Sequence, residues 1–282
     1  MADQRVSLDK ETLDKVAQQI GLTIQQIQQA ILNAPSYDRR TRTALLSEVK
    51  QRLAVAVRIA GDALEGEIRR QYTVGSREVG TLLQQSGVRS NTSVGVIGAA
   101  TIASLILQGR QSIEIAATNV SRNAQRVISV AARREIQAMQ AAGLTRRAAE
   151  AKVTPIVRET IRQNNLFGII DRAGRQWSLE RYSKMVIDTM AMEARNTAVL
   201  NKNLEAGIDL VRISKYGSKH KICKNWEGEI VSITGDTPGF PSADQPRADG
   251  VFHPGCRHFF VPLTKSERQK YSGVMASVGP NA

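Results

Sequence analysis

The apolar positions of the first half of the chain recur at helical spacing. "SLDKETLDKVAQQIGLTIQQIQQAILNAP" reads as a helix with Ser7 as N-cap and a break at Asn33-Ala34-Pro35. In "YDRRTRTALLSEVKQRLAVAVRIAGDALEGEIRRQ", Asp38 is the candidate cap, and Leu45, Leu46, Val49, Leu53 and Val57 follow on one side. "TNVSRNAQRVISVAARREIQAMQAAG" puts Val120, Val127, Ala131 and Met139 on roughly one face and stops at Gly143, with Thr145 opening the next helix. No fixed-period repeat is present. Between Arg89 and Arg110 lies "SNTSVGVIGAATIASLILQG", 20 residues without a charge. That length could cross a bilayer. Its Ser, Asn, Thr and Gly content favours a buried or interface helix, with transient membrane entry as the alternative.

After about residue 155 the period changes. "NNLFGIIDRAGRQWSL" predicts a hairpin, with strands over Phe167–Ile170 and Arg175–Leu179 around Asp171-Arg172-Ala173-Gly174. "SLERYSKMVIDTMAMEARNTAVLNKNLEAG" predicts a helix from an N-cap at Ser178 to Gly207. "IDLVRISKYG", "EGEIVSI" and "HFFVPL" predict strands, and "GDTPGFPSADQPRADG" a long loop. The expected fold is α+β: a helical region over 1–154, a small domain of short, mostly antiparallel strands over 155–265, and a loose tail over 266–282. Trp177, Tyr182, Trp226 and Phe259 are the expected aromatic core of that domain.

Composition sharpens this picture in two ways. Aromatic content is 4%, so small aliphatics carry the apolar mass and favour helices. The net charge is +13, and residues 75–147 hold nine Arg against Glu78, Glu114 and Glu135. Such an excess attracts polyanions. It serves either a solvated helix surface or a face beside packed DNA. The polar start "MADQRVSLDKETLDK" lacks an apolar export region, so the thiols are expected to meet a reducing cytosol.

Every histidine and cysteine falls between residues 220 and 258: His220, Cys223, His253, Cys256 and His258. Cys223, His253, Cys256 and His258 are the candidate metal ligands, with His220 as a spare. Thiolate with imidazole suits tetrahedral zinc better than magnesium or calcium. H-x-x-C-x-H places three donors on one tight loop, yet the spacing matches no standard finger. Three arrangements stay open: structural zinc, a packed cluster without metal, and a Cys223–Cys256 disulfide. Any of them would staple the long loop over 235–250. A catalytic metal needs an open position and a base, and neither Asp249 nor Glu227 stands at a telling distance in sequence.

"RAGRQWSLERYSKMVIDTMAMEARNTAVLNKNLEAGIDLVRIS", "CKNWEGEIVSITG" and "GVFHPGCRHFFVP" together resemble tailed-phage minor capsid proteins. These are the phage minor capsid protein 2 family and the related phage Mu head-morphogenesis protein F family. The resemblance rests on Gly174, Arg175, Trp177, Tyr182, Met185, Val186, Gly207, Asp209, Leu210, Val211, Ser214, Trp226, Gly228, Ser232, His253, Pro254, Cys256, Arg257 and His258, over roughly 165–263. It implies a minor structural protein of the virion head, inside the capsid near the portal, made in the host cytoplasm. Portal, capsid or scaffold proteins and packaged double-stranded DNA are the implied partners, with roles in head morphogenesis, packaging or ejection. The family's C-terminal domain has been likened to ADP-ribosyltransferases. Here the usual Arg-Thr on the Tyr-x-x-Met helix is Asp188-Thr189, and only Glu227 and Glu229 suggest an acidic pair. No enzymatic activity is expected; a transferase or a metal-dependent nuclease is the alternative.

Overall fold

The computed structural model of the chain describes residues 9–88, 90, 93–164, 168–171 and 174–275. Ser7, Phe167, Arg172 and Ala173 lie outside the described residues, as does the tail beyond Met275. Helices α1 (Lys10–Leu32), α2 (Arg39–Gln85), α3 (Val96–Ala142) and α4 (Arg146–Asn164) come first. A hairpin of β1 (Gly168–Ile170) and β2 (Gln176–Ser178) leads into α5 (Leu179–Glu205). Then follow β3 (Leu210–Ile213), α6 (Lys221–Trp226), β4 (Ile230–Ser232), α7 (Gln245–Ala248), β5 (Phe260–Pro262) and α8 (Lys265–Tyr271). Strands β4, β3 and β5 form one sheet in that order, and both of its pairings are antiparallel. The fold is α+β.

The helix signals act locally. The Asp38 carboxylate accepts the Thr41 N–H at 2.9 Å, capping α2. Gly143 and Gly207 take φ of +58° and +71°, the left-handed geometry that ends α3 and α5. One boundary differs from expectation. Helix α4 does not stop near 154 but continues through Pro155 to Asn164. Proline removes one backbone donor and frees the carbonyl of Ala151. Both residues are exposed, so water can satisfy that group.

Contacts gather into two compact units, and neither follows chain order. One takes Glu11–Ala63 and Arg110–Lys184; the other takes Leu64–Gly109 and the chain from Met185 on. In the first, Leu13, Ile20, Ile24, Ile27 and Ile31 of α1 are buried, as are Leu45, Val49 and Leu53 of α2 and Val120, Val127 and Ala131 of α3. The β1–β2 hairpin belongs here, with the Trp177 indole donating to Asp171 at 2.9 Å.

The second unit holds the uncharged 90–109 stretch. Its described part begins α3, where Ile102 and Leu105 are buried, and no described helix is long and apolar enough to cross a membrane. Two of its glycines permit close helix packing. A Cβ on Gly98 would meet Tyr72 at 2.6 Å, and one on Gly109 would meet Leu64 at 2.6 Å. The sheet core joins Val211, Ile213, Val231 and Phe260 to Val199 of α5 and to Val79 and Leu83 of α2. Helix α2 thus supplies part of the core beneath the strands.

Of the four aromatics expected in the core, Phe259 is buried and Trp177, Tyr182 and Trp226 are half-buried. An indole N–H needs an acceptor, and the acceptors are surface carboxylates: Asp171 for Trp177 and Asp249 for Trp226, the latter at 3.1 Å. Phe260 and Tyr72 fill the deep positions instead.

Candidate metal centre

Three backbone features bring the thiols and imidazoles together. Helix α6 opens at His220, and the Lys224 N–H bonds the His220 carbonyl at 2.9 Å, so His220 and Cys223 share its first turn. The His253–Cys256 turn closes by Cys256 N–H to His253 O at 2.8 Å. Phe252, just before it, holds φ of 60°, a left-handed angle rare outside glycine, with Gly250 and Gly255 also at positive φ. Strand β5 then carries the chain inward from His258.

Cys223 is the hub. Its Sγ lies 3.3 Å from His220 Nδ1 and 3.5 Å from His253 Nε2. Cys256 Sγ lies 3.3 Å from His258 Nδ1. Two sets of donor atoms, His220/Cys223/His253 and Cys223/Cys256/His258, each fall within 4.8 Å of one another. The two sets share Cys223: His253 stands with Cys223 and His220, the spare, while Cys256 and His258 stand with Cys223 on its other side. Both cysteines are free thiols, so the disulfide arrangement is not the one adopted.

Glu227, unremarkable by its distance in sequence, is the residue that holds His258. Its carboxylate accepts N–H groups of Tyr216, Gly217 and Ser218 at 3.3, 3.2 and 2.8 Å, and faces His258 Nε2 at 3.2 Å. The His258 side chain is fully buried and that of Glu227 is 5% exposed. The available signal was position: Glu227 stands between Trp226 and Gly228, and H-x-x-C occurs twice, at 220–223 and 253–256.

The electrostatics follow from this order. Burial raises the Cys223 thiol to about 11, and the neighbouring Cys256 adds to it. Burial also raises Cys256, but the His258 imidazole outweighs it and brings this thiol down to about 7. Burial lowers His258, yet Cys256 and Glu227 together carry it upward. Burial raises Glu227, and its backbone donors reverse that to a net lowering. Cys256 thus ionises first, with His258 as its counter-ion.

The loop over 235–250 is better anchored than its composition suggests. Thr237, Ala243 and Pro246 are buried, and the Ala243 N–H bonds Ser232 O at 2.7 Å. Much of its hold comes from Asp209. That carboxylate accepts the Ser232 and Thr237 hydroxyls, each at 2.5 Å, and the Thr234 N–H at 2.8 Å. Burial disfavours its charge, but these donors leave its pKa lowered. Ser214 works similarly, its hydroxyl accepting the Phe259 N–H at 3.1 Å. Asp209, Ser214, Ser232 and Gly228 (φ +82°) are therefore fold determinants.

A cavity of about 320 Å³ adjoins the cluster, lined in part by Asp188, Thr189, Asn196, Tyr216 and His253. Glu227 is not free to serve it, because four donors already hold the carboxylate.

The profile of the phage minor capsid protein 2 family matches residues 44–267, most of the chain. No curated protein matches the chain, and no solved structure does. The chain belongs to the phage minor capsid protein 2 family.

Proposed function

We propose that this structural head protein sits inside the capsid near the portal and contacts packaged DNA without reading its sequence. Family membership supports the virion and the company of other head proteins. The observation that supports DNA contact is on α3. Arg122, Arg126, Arg133 and Arg134 are exposed and carry no ion pair among the described residues. Spacings of four and seven residues keep Arg122, Arg126 and Arg133 near one side of the helix. Guanidinium groups without ion pairs on a rigid rod suit phosphate, whose contacts release counterions and carry no base information. The proposed role is head morphogenesis, packaging or ejection, with portal, capsid or scaffold proteins as partners and assembly in the host cytoplasm.

The role is structural rather than catalytic, since Glu227, one of the two glutamates that could serve a transferase, is committed to backbone donors and His258. The test is fractionation of intact particles. The chain should be present in few copies in DNA-filled heads and resist added protease until the head is opened. A chain that is digested on intact heads, or absent from them, overturns the interior location. Transfer of ADP-ribose from NAD by the purified chain would replace the structural reading with the enzymatic one.

A further inference from the structure

We propose that Cys223, Cys256 and His258 hold a structural zinc ion, that His253 closes the tetrahedron, and that Glu227 positions His258. Four observations carry this, and none depends on the head-protein reading.

The first is span. Zinc bonds of about 2.3 Å to sulfur and 2.0–2.1 Å to nitrogen, at a tetrahedral angle, put neighbouring sulfur and nitrogen about 3.6 Å apart. The His253–Cys223 and His258–Cys256 edges measure 3.5 and 3.3 Å. Each edge pairs a thiol with an imidazole, and Cys223 links the two by also lying within 4.8 Å of Cys256 and His258, so closing the tetrahedron requires His253 to draw in toward that pair. An S–H···N hydrogen bond has a similar span, so the remaining observations decide.

The second is the direction of the ring protons. A zinc-bound imidazole usually donates its other N–H to a carboxylate or a carbonyl, which fixes the tautomer. His258 turns Nε2 to Glu227 at 3.2 Å and Nδ1 to the thiols. His253 turns Nδ1 to the Pro254 carbonyl at 3.0 Å and Nε2 to Cys223. Both rings aim a lone pair at the centre. His220 has its Nδ1 on Cys223 but no such acceptor for its other nitrogen among the described residues, so it ranks behind His253.

The third is charge. Two thiolates neutralise the ion, so two neutral imidazoles complete a complex of zero net charge. That suits a site where Cys223 and the His258 side chain are almost wholly buried, since an unpaired buried charge is costly. The alternative set of His220, Cys223 and His253 has one thiolate and leaves a net positive complex at the surface.

The fourth is the support given to Glu227. Three successive backbone N–H groups, from Tyr216, Gly217 and Ser218, converge on its carboxylate. That pins the acceptor which pins His258. Soft sulfur with imidazole nitrogen selects zinc over hard cations.

The test uses the full-length chain, purified with reductant and dialysed, with zinc and cobalt(II) as probes. Expected results are one zinc per chain, thiolate-to-cobalt charge transfer with intense tetrahedral bands, and protection of both cysteines from alkylation until a chelator is added. Cys223→Ser, Cys256→Ser and His258→Ala should lose stoichiometric zinc. Because those variants could misfold, milder ones decide. His253→Ala should weaken zinc binding at least ~10-fold and His220→Ala should not. Glu227→Gln keeps one oxygen for the Tyr216 and Ser218 N–H groups but sets an amide N–H against Gly217; it should weaken zinc ~10–100-fold in a chain whose metal-free form still melts cooperatively. A wild-type chain that takes up no zinc and leaves cobalt with its aqueous spectrum overturns the site. So does a chain that oxidises to a Cys223–Cys256 disulfide under the same reducing conditions. A larger loss from His220→Ala than from His253→Ala overturns the fourth ligand.

Discussion

Residues 11–63 and 110–184 bury stripes of Ile, Leu, Val and Ala, with Ser36, Glu135 and Ser183 as the buried polar side chains among the described residues. Beyond Gly207 the strands are three or four residues long, and Asp209, Ser214, Ser218, Ser232, Thr237, His258 and Arg268 are buried with them. A helix of 23 residues closes its own backbone bonds, so its stability reduces to covering one apolar face. Strands this short leave most of the connecting backbone without ladder partners, and side chains must supply them. The helical region is thus held by many small, interchangeable contacts. The strand region is held by a few polar groups, each serving several partners.

The hardest way to break that contrast is Asp209→Ala. It strips the acceptor from the buried Ser232 and Thr237 hydroxyls and from the Thr234 N–H at the loop's exposed edge. At about 1–3 kcal/mol for each of the two buried hydroxyls left unpaired, the loss should be roughly 2–6 kcal/mol. Equilibrium denaturation measures it. A loss below about 1 kcal/mol would mean that the loop over 232–237 reorganises and that the hub is replaceable.

Acid attacks the same group reversibly. The folded pKa of Asp209 lies below its ordinary value, despite burial, because Ser232, Thr237 and Thr234 donate to the charged form. Its contribution is therefore complete above the ordinary carboxylate value of about 3.9 and is lost as pH falls through the depressed one. Protection of the Thr234 and Gly235 amides from hydrogen exchange should collapse in that range in wild type. In Asp209→Asn it should be weaker at neutral pH and less dependent on acid. Equal acid sensitivity in both chains would assign the effect to other carboxylates.

A finer comparison sets one substitution in each region side by side. Ser232→Ala deletes a hydroxyl that donates to Asp209 and accepts the Gly235 N–H at 2.8 Å, and should cost about 1–3 kcal/mol. Ile27→Val deletes one methylene from a fully buried side chain of α1 and should cost about 0.5–1.5 kcal/mol. Paired denaturation curves rank them. The reverse order would show that the helical core is the more tightly specified of the two.

The same contrast explains what the sequence made legible. Helix limits at Asp38, Gly143 and Gly207 and all three sheet strands follow from local chemistry, and the structure agrees. The candidate ligands are legible because the chain has so few histidines and cysteines that their clustering stands out. Glu227, by contrast, is one carboxylate among 26 acidic residues, and its role depends on three backbone N–H groups ten residues upstream. Nor does local pattern show that Val79 and Leu83 of α2 complete a core more than a hundred residues away. The half-burial of Trp177 and Trp226 turns on acceptors at Asp171 and Asp249 that spacing does not reveal. Helix α4 runs on through Pro155, where the freed Ala151 carbonyl lies on an exposed face.

The smallest expected change in stability comes with the largest change in electrostatics. Replacing Arg122, Arg126, Arg133 and Arg134 of α3 by Gln removes four exposed cations that make no ion pair among the described residues. Each substitution should move stability by no more than about 0.5 kcal/mol, as surface changes usually do. Binding to double-stranded DNA should respond much more. Each phosphate that is no longer neutralised flattens the slope of log affinity against log salt by about 0.9, so four of them would remove roughly 3.6 from it. The weakening should be the same on DNAs of unrelated sequence, because guanidinium on phosphate carries no base information. Fluorescence anisotropy at several salt concentrations gives the slope, and thermal melting of the same variant confirms the intact fold. A folded variant with an unchanged slope would mean that this face of α3 meets a protein and that any DNA contact lies on other basic residues.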